Sequence, residues 1–212
     1  MKQIYRLLII FSISGVFVIL AGYARSNEKE KVSIDNKTSA KALVVVYSYT
    51  GNTRAVADEI IKRFKTDIVV IKANEYDGLT GSIKANNDAW NEEKTTDIKP
   101  ETVDMSQYKL VFLGSPIWWY RPAVPLWTFV EKNNFKDKKV VLFNTFNSKF
   151  KSEYIEEFIN LVKKKDGQFL DHLYVRRGRW YSQLSREELL ERFNKILDEK
   201  EEKYSGIISQ EH

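Results

Sequence analysis

A chain of 212 residues has the length of one large domain or two small ones, and its 43% hydrophobic and 13% aromatic content excludes disorder throughout. The absence of cysteine excludes a disulfide framework, a Cys-ligated metal cluster and a cysteine nucleophile, while the two histidines, His172 and His212, stand in no metal-ligand spacing. The net charge of +5 is spread among nearly as many acids, without the dense basic motif of a nucleic-acid binder, so no nucleic-acid partner and no metal site are expected. Any redox or hydrolytic chemistry must be borrowed from a bound cofactor or be carboxylate-based.

Lys2 and Arg6 precede the uncharged apolar run from Leu7 to Leu20, a positive n-region followed by an h-region. The run is shorter than the ~20 apolar residues that span a bilayer comfortably, which favours a signal peptide over a permanent anchor. Gly22 and Ala24 suit leader cleavage after residue 24, whereas Tyr23 stands where a lipoprotein signal would need cysteine. Residues 1–24 are therefore predicted as a signal peptide or membrane anchor and residues 25–41, polar and without hydrophobic period, as a tether. Removing Lys2 and Arg6 lowers the basic count from 34 to 32 against 29 acids, so the chain from Arg25 onward carries +3. The expected location is extracytoplasmic, secreted or anchored by this segment.

From Ala42 short apolar runs alternate with amphipathic ones. Residues 42–47 read as a strand covered on both faces, and residues 54–64 as a helix with Ala57, Ile60, Ile61 and Phe64 inward. Residues 67–71 and 110–113 are the second and third strands, the third ending at Gly114. The polar stretch 75–107 between them is expected to hold one short helix near Ala85 to Glu93. A helix over 125–132, a fourth strand over 139–143, a helix over 152–164 and a fifth strand over 168–174 follow. The last helix opens on Ser185 and Glu188, a capping box. The alternation predicts an α/β fold, a five-stranded parallel sheet with helices on both faces, over residues 42–205, with 206–212 as a tail. Ligands in such sheets sit beyond the carboxyl ends of the strands, where strand order reverses.

Three loops occupy those ends. Ser48-Tyr49-Thr50-Gly51-Asn52-Thr53 leads straight into a helix, and its hydroxyls, glycine and helix-start amides make a nest for a phosphate dianion. No G-x-G pair and no P-loop motif exists, which excludes the dinucleotide fingerprint and P-loop ATP or GTP. The second loop, Gly114 to Ala123, carries Pro116, Ile117, Trp118, Trp119 and Tyr120, flat apolar surface against which a planar ring can stack; Trp127 is assigned to the core. The third, from Asn144 through Thr145, Phe146 and Asn147 to Phe150, offers polar groups to the edge of a heterocycle. Arg176-Arg177-Gly178-Arg179 reads as a solvated turn or as a docking patch for an anionic partner. His172 reads as structural, since no nucleophile elbow accompanies it.

The Thr50-Gly51-Asn52-Thr53 turn together with Gly114-Ser115-Pro116-Ile117-Trp118-Trp119 resembles the flavodoxin superfamily, and the resemblance spans about residues 42–200. It implies a flavodoxin-like three-layer sandwich and a non-covalent FMN. The phosphate is expected on Ser48, Thr50, Gly51, Asn52 and Thr53 and the ring against Pro116 to Trp119, with Tyr49, Tyr120, Asn144, Thr145, Phe146 and Asn147 completing the contacts. Two departures stand out. Tyr120 replaces the glycine that often follows the paired tryptophans, and the third loop lacks glycine. The basic composition implies a less reducing flavin than in acidic electron carriers. The leading expectation is extracytoplasmic electron transfer with a redox partner protein or a small quinone-like acceptor. The alternatives are an FMN-dependent NAD(P)H or quinone reductase and a flavin-free interaction module.

Overall fold

The computed structural model of the protein describes residues 42–179 and 181–209. The expected leader and tether therefore lie outside the described residues, as does Trp180.

The first strand, β1 (Ala42–Val46), is wholly buried, and its β-branched run suits a position with a neighbour on each edge. It pairs in parallel with β2 (Asp67–Val70) on one side and with β3 (Leu110–Trp118) on the other. β5 (Lys139–Phe146) and β6 (Gln168–Arg176) extend the sheet in parallel, giving the order β2-β1-β3-β5-β6. A two-residue strand, β4 (Arg121–Pro122), folds back antiparallel on the end of β3, so the sheet has six strands where five were predicted. The five-stranded parallel core is as expected. The addition escapes the apolar pattern because β3 runs past Gly114 through Ser115 and Pro116, residues that read as loop.

Helices cover both faces. On one face α1 (Asn52–Phe64), α5 (Arg186–Asp198) and α6 (Glu201–Ser209) pack Val56, Ile60, Leu189, Phe193 and Tyr204 against the sheet. On the other, α3 (Val124–Lys132) and α4 (Ser152–Lys164) supply Leu126, Trp127, Phe129 and Phe158. Fully burying an aliphatic or phenyl side chain contributes ~1.5–3 kcal/mol, so these two layers drive folding. The capping box is formed: the Glu188 amide donates to Ser185 Oγ at 3.1 Å and the Ser185 amide to Glu188 Oε2 at 2.7 Å. The predicted boundary at 205 falls inside α6, whose Ile207 is buried, so the domain continues to Ser209.

The polar connection holds α2 (Gly78–Trp90), earlier and longer than predicted. Its buried face consists of Gly81, Ala85 and Ala89, while Leu79 and Trp90 are 82% and 65% exposed. Small residues inside and large ones outside invert the usual apolar period, which shifts the expected helix toward the chain's carboxyl side. Close contact does the work that large side chains do elsewhere. Residues 94–104 are tied down by polar groups: the Asp97 amide donates to Glu75 at 3.0 Å, the Thr96 amide to Thr128 Oγ1 at 3.0 Å and the Val103 amide to Asn133 Oδ1 at 2.9 Å.

Two local features have measurable consequences. Trp119 and Tyr120 form the two-residue turn between β3 and β4 at φ 44° and 72°, the left-handed conformation that a primed hairpin turn requires. The glycine that Tyr120 replaces would sit there without strain. The tyrosine is held instead by the Lys151 amide, which donates to its carbonyl at 2.9 Å, and by the Lys149 and Lys151 ammonium groups, 5.7 and 5.5 Å from its ring centre. Beneath the third loop, Asn144 is wholly buried and its Nδ2 donates to the Ser115 carbonyl at 2.8 Å. Its oxygen therefore faces His172, 2.8 Å away, whose Nε2 is the donor. Burial pushes the His172 imidazole down to about 4.

A branched side chain tolerates left-handed backbone poorly, so Tyr120→Val is expected to be less stable than Tyr120→Gly by ~1–2 kcal/mol in urea unfolding. For His172 the folded protein binds its proton more weakly than the unfolded chain, so stability is complete above the unfolded value of 6.5 and is lost as pH falls toward about 4. Between pH 7 and 5 the wild type should lose about 2 kcal/mol through this group. In His172→Gln that part of the pH dependence should vanish; an unchanged slope would contradict the assignment.

Candidate functional site

Strand order reverses between β1 and β3, because the chain leaves β1 toward β2 and returns on the opposite side. The carboxyl ends of these two strands are adjacent, stapled where the Tyr47 amide donates to the Gly114 carbonyl at 2.9 Å. Gly114 makes room for the Phe143 ring of β5 at the same strand end, since a Cβ there would lie 2.0 Å from that ring. The first and second loops thus open at one switch point, the position at which sheets of this kind bind ligands.

The turn after β1 is built around Gly51, which caps α1 at φ 82° and ψ −7°. Its carbonyl accepts the Ala55 amide at 3.0 Å, and the Ser48 hydroxyl accepts the Arg54 amide at 3.1 Å. Helix geometry leaves the amides of Gly51, Asn52 and Thr53 without an intrahelical acceptor. These amides and the helix dipole form a positive concavity suited to an anion. Asn52 is buried and its Nδ2 donates to Thr50 Oγ1 at 3.0 Å, which fixes the exposed hydroxyl of Thr50 above the turn. The Thr53 hydroxyl is buried and shares a 2.8 Å hydrogen bond with Thr145 Oγ1, tying the helix start across β3 to β5.

A cleft of about 300 Å³ opens beside this turn. Tyr49, Thr50 and Asn52 form its first wall, Pro116, Ile117 and Trp118 the second, and Thr145, Phe146 and Asn147 the third. Arg177 and Gln183 close the end. Across Ile117 and Trp118 a second cleft of about 330 Å³ is lined by Tyr49, Trp119 and residues Ser82, Ala85 and Asn86 of α2. Trp118 belongs to both clefts. Its indole is held edge-on by Tyr47, Tyr49 and Tyr76, with ring centres 5.5, 5.7 and 5.4 Å away. Burial, aided by neighbouring acidic and phenolic groups, raises the phenols of Tyr47 and Tyr76, and Tyr76 also donates to Asp88 Oδ2 at 2.9 Å. Tyr47 and Tyr76 therefore face Trp118 as neutral phenols.

The expected site residues divide by role. Nine of them line the first cleft, and Trp119, 39% exposed, lines the second with its indole N–H donated to Asn86. Ser48 and Gly51 shape the turn, and Thr53 anchors it. Asn144 lies beneath the cleft, fully engaged with Ser115 and His172, and Tyr120 stands at the hairpin tip beside Lys149 and Lys151; neither lines the cleft. Trp127 is in the core, donating its indole N–H to the Pro122 carbonyl at 2.9 Å. Sequence reasoning missed Arg177 at the end of the first cleft and the packing of Tyr47 and Tyr76 on Trp118. The run 176–179 signalled a basic patch, but its proximity to the first turn depends on the fold-back of the chain after β6.

The arrangement fits a phosphorylated planar ligand: a left-handed glycine with open amides for the phosphate and a half-buried indole next to them for the ring. Among the described residues no cluster of His, Cys, Asp and Glu is arranged to hold a metal ion.

The chain is similar to a flavoprotein of Lactobacillus acidophilus NCFM solved in complex with FMN, at 21% identity over 64% of this chain and 93% of that one, with a TM-score of 0.53. It is also similar to a flavoprotein candidate of Bacteroides eggerthii DSM 20697, at 20% identity over 81% and 99% of the two chains and a TM-score of 0.56. None of the curated proteins matches it. At these identities the likeness establishes the fold. The family model described as Flavodoxin matches residues 41–181, two thirds of the chain and all three site loops. On that match, with the switch-point turn and the tryptophan loop in place, the chain belongs to the flavodoxin family.

Proposed function

We propose that the protein binds FMN without a covalent link and serves in electron transfer outside the cytoplasmic membrane. The observation that carries the reading is the turn at Gly51, with three amides lacking helical acceptors, directly beside the cleft lined by Trp118. Gly51, Asn52 and Thr53 hold the phosphate through their amides and Thr50 through its hydroxyl. Pro116, Ile117 and Trp118 would hold the ring, with Phe146 of β5 lining the same cleft. When bound, FMN supplies reversible electron chemistry that no side chain of this protein provides. The protein's own part is to position the ring, exclude water from its buried side and leave an exposed edge for exchange. The basic n-region and apolar run before residue 24 support export, with the donor and acceptor on the outer side of the membrane.

A second reading, an FMN-dependent reductase of small quinone-like acceptors, draws on the cleft beside Trp118 and Trp119, which is largely apolar and open to solvent. Steady-state oxidation of NADH or NADPH with a quinone separates the two. A carrier shows little turnover without a partner reductase, whereas a reductase turns over alone.

The purified protein should take up FMN and show the visible absorption of a bound flavin, with quenched flavin fluorescence. A preparation that remains colourless after incubation with FMN would favour a flavin-free interaction module instead. Thr50→Val removes one phosphate hydrogen bond and should weaken FMN binding roughly five- to ten-fold, the effect of ~1–1.4 kcal/mol.

A further inference from the structure

Two arginines from a distant part of the sequence stand beside the first turn, Arg186 over Gly51 and Arg177 in the adjoining cleft. Arg177 follows β6 and is fixed by its backbone: its amide donates to the Phe146 carbonyl at 2.8 Å, and its carbonyl accepts the Leu184 amide at 2.8 Å. Its side chain lines the cleft shared with Thr50 and Asn52, and its Nε is buried without a hydrogen-bond partner among the described residues. Arg186 is the first residue of α5, set by the Ser185–Glu188 capping box. Its Nη2 lies 3.4 Å from where a Cβ on Gly51 would be, so the guanidinium rests over the glycine that shapes the turn. Neither arginine has a carboxylate partner among the described residues. Arg54, at the same helix start, does: its Nε lies 2.8 Å from Asp58.

Two guanidinium groups without a carboxylate partner among the described residues, Arg186 over Gly51 and Arg177 in the adjoining cleft, border a turn whose amides already favour an anion and leave its charge unbalanced. A phosphate dianion balances it, because guanidinium donors match phosphate oxygens in geometry as well as charge. We infer that Arg177 and Arg186 form a cationic clamp on the phosphate, so that this protein selects phosphorylated flavin over riboflavin by charge as well as by amide hydrogen bonds. The inference rests on the FMN reading and adds residues to the same site. The basic run at 176–179 is thereby divided in role. Arg177 faces the cleft, while Arg176 donates to the Asn147 carbonyl at 3.3 Å and Arg179 to Ser148 Oγ at 3.3 Å, holding the third loop in place.

The test is fluorescence titration of the full chain with FMN and, separately, with riboflavin, for wild type, Arg177→Gln, Arg186→Gln and Arg186→Lys, at low and moderate salt. Each glutamine variant is expected to lose roughly ten-fold in FMN affinity, as for a charge-assisted hydrogen bond, with riboflavin affinity and the flavin-free melting temperature unchanged. The salt dependence of FMN binding should be shallower in both, and Arg186→Lys should recover only part of the loss because an ammonium lacks the planar fork. Glutamine variants that bind FMN like wild type, or that lose FMN and riboflavin by one common factor, overturn the clamp while leaving FMN binding standing. A wild type that binds neither flavin overturns the FMN reading and the clamp together.

Discussion

Position 51 must be left-handed for this architecture to have a site at all. β1 is buried on both faces and on both edges, so the chain leaves it in one direction only, and α1 must start close enough to lay Val56, Ala57 and Ile60 on the sheet. Gly51 makes that change of direction within a few residues and turns the first amides of α1 toward the switch point. The hydroxyl pair of Thr53 and Thr145 then locks the helix start to β5 across the intervening β3. The same constraint that closes the core thus leaves a set of open amides at the switch point, and their position follows from strand order.

The second loop is strained where the first is relaxed. Two aromatic residues occupy the left-handed positions of the β3–β4 hairpin, and their rings are used differently: Trp119 meets Trp90 of α2, with ring centres 4.6 Å apart, and Tyr120 meets the two lysines of the third loop. Behind the hairpin the Arg121 guanidinium is buried 4.7 Å from the Trp127 ring centre and 5.6 Å from that of Tyr154. The hairpin is therefore gripped from both sides. Trp118, between it and the tyrosine cage, is held in one orientation, which is what a stacking surface requires.

Much of the fold was legible in the sequence because buried parallel strands advertise themselves as apolar runs, and a hydroxyl-rich glycine turn after such a run marks a helix start at the strand's carboxyl end. What escaped did so for physical reasons. α2 buries glycine and alanine and exposes leucine and tryptophan, so its apolar period points the wrong way. Asn144 reads as a polar loop residue, but it sits within β5 and spends its amide on Ser115 and His172 beneath the cleft. Arg177 and Arg186 reach the first turn only through the path of the chain after β6, a long-range placement that no local pattern encodes.

The central claim is that the β1–α1 turn is the phosphate seat and the Trp118 cleft the ring site. Backbone amide and indole chemical shifts, followed by NMR as the protein is titrated with FMN, test it most directly. The largest shifts are expected at the amides of Thr50 to Thr53 and at the indole of Trp118, with smaller ones at Thr145 to Asn147. Shifts concentrated instead at Val70 to Asn74, Asp77 and Gly78, which line a separate polar hollow of about 620 Å³ beside Tyr47 and Ser48, would contradict this assignment.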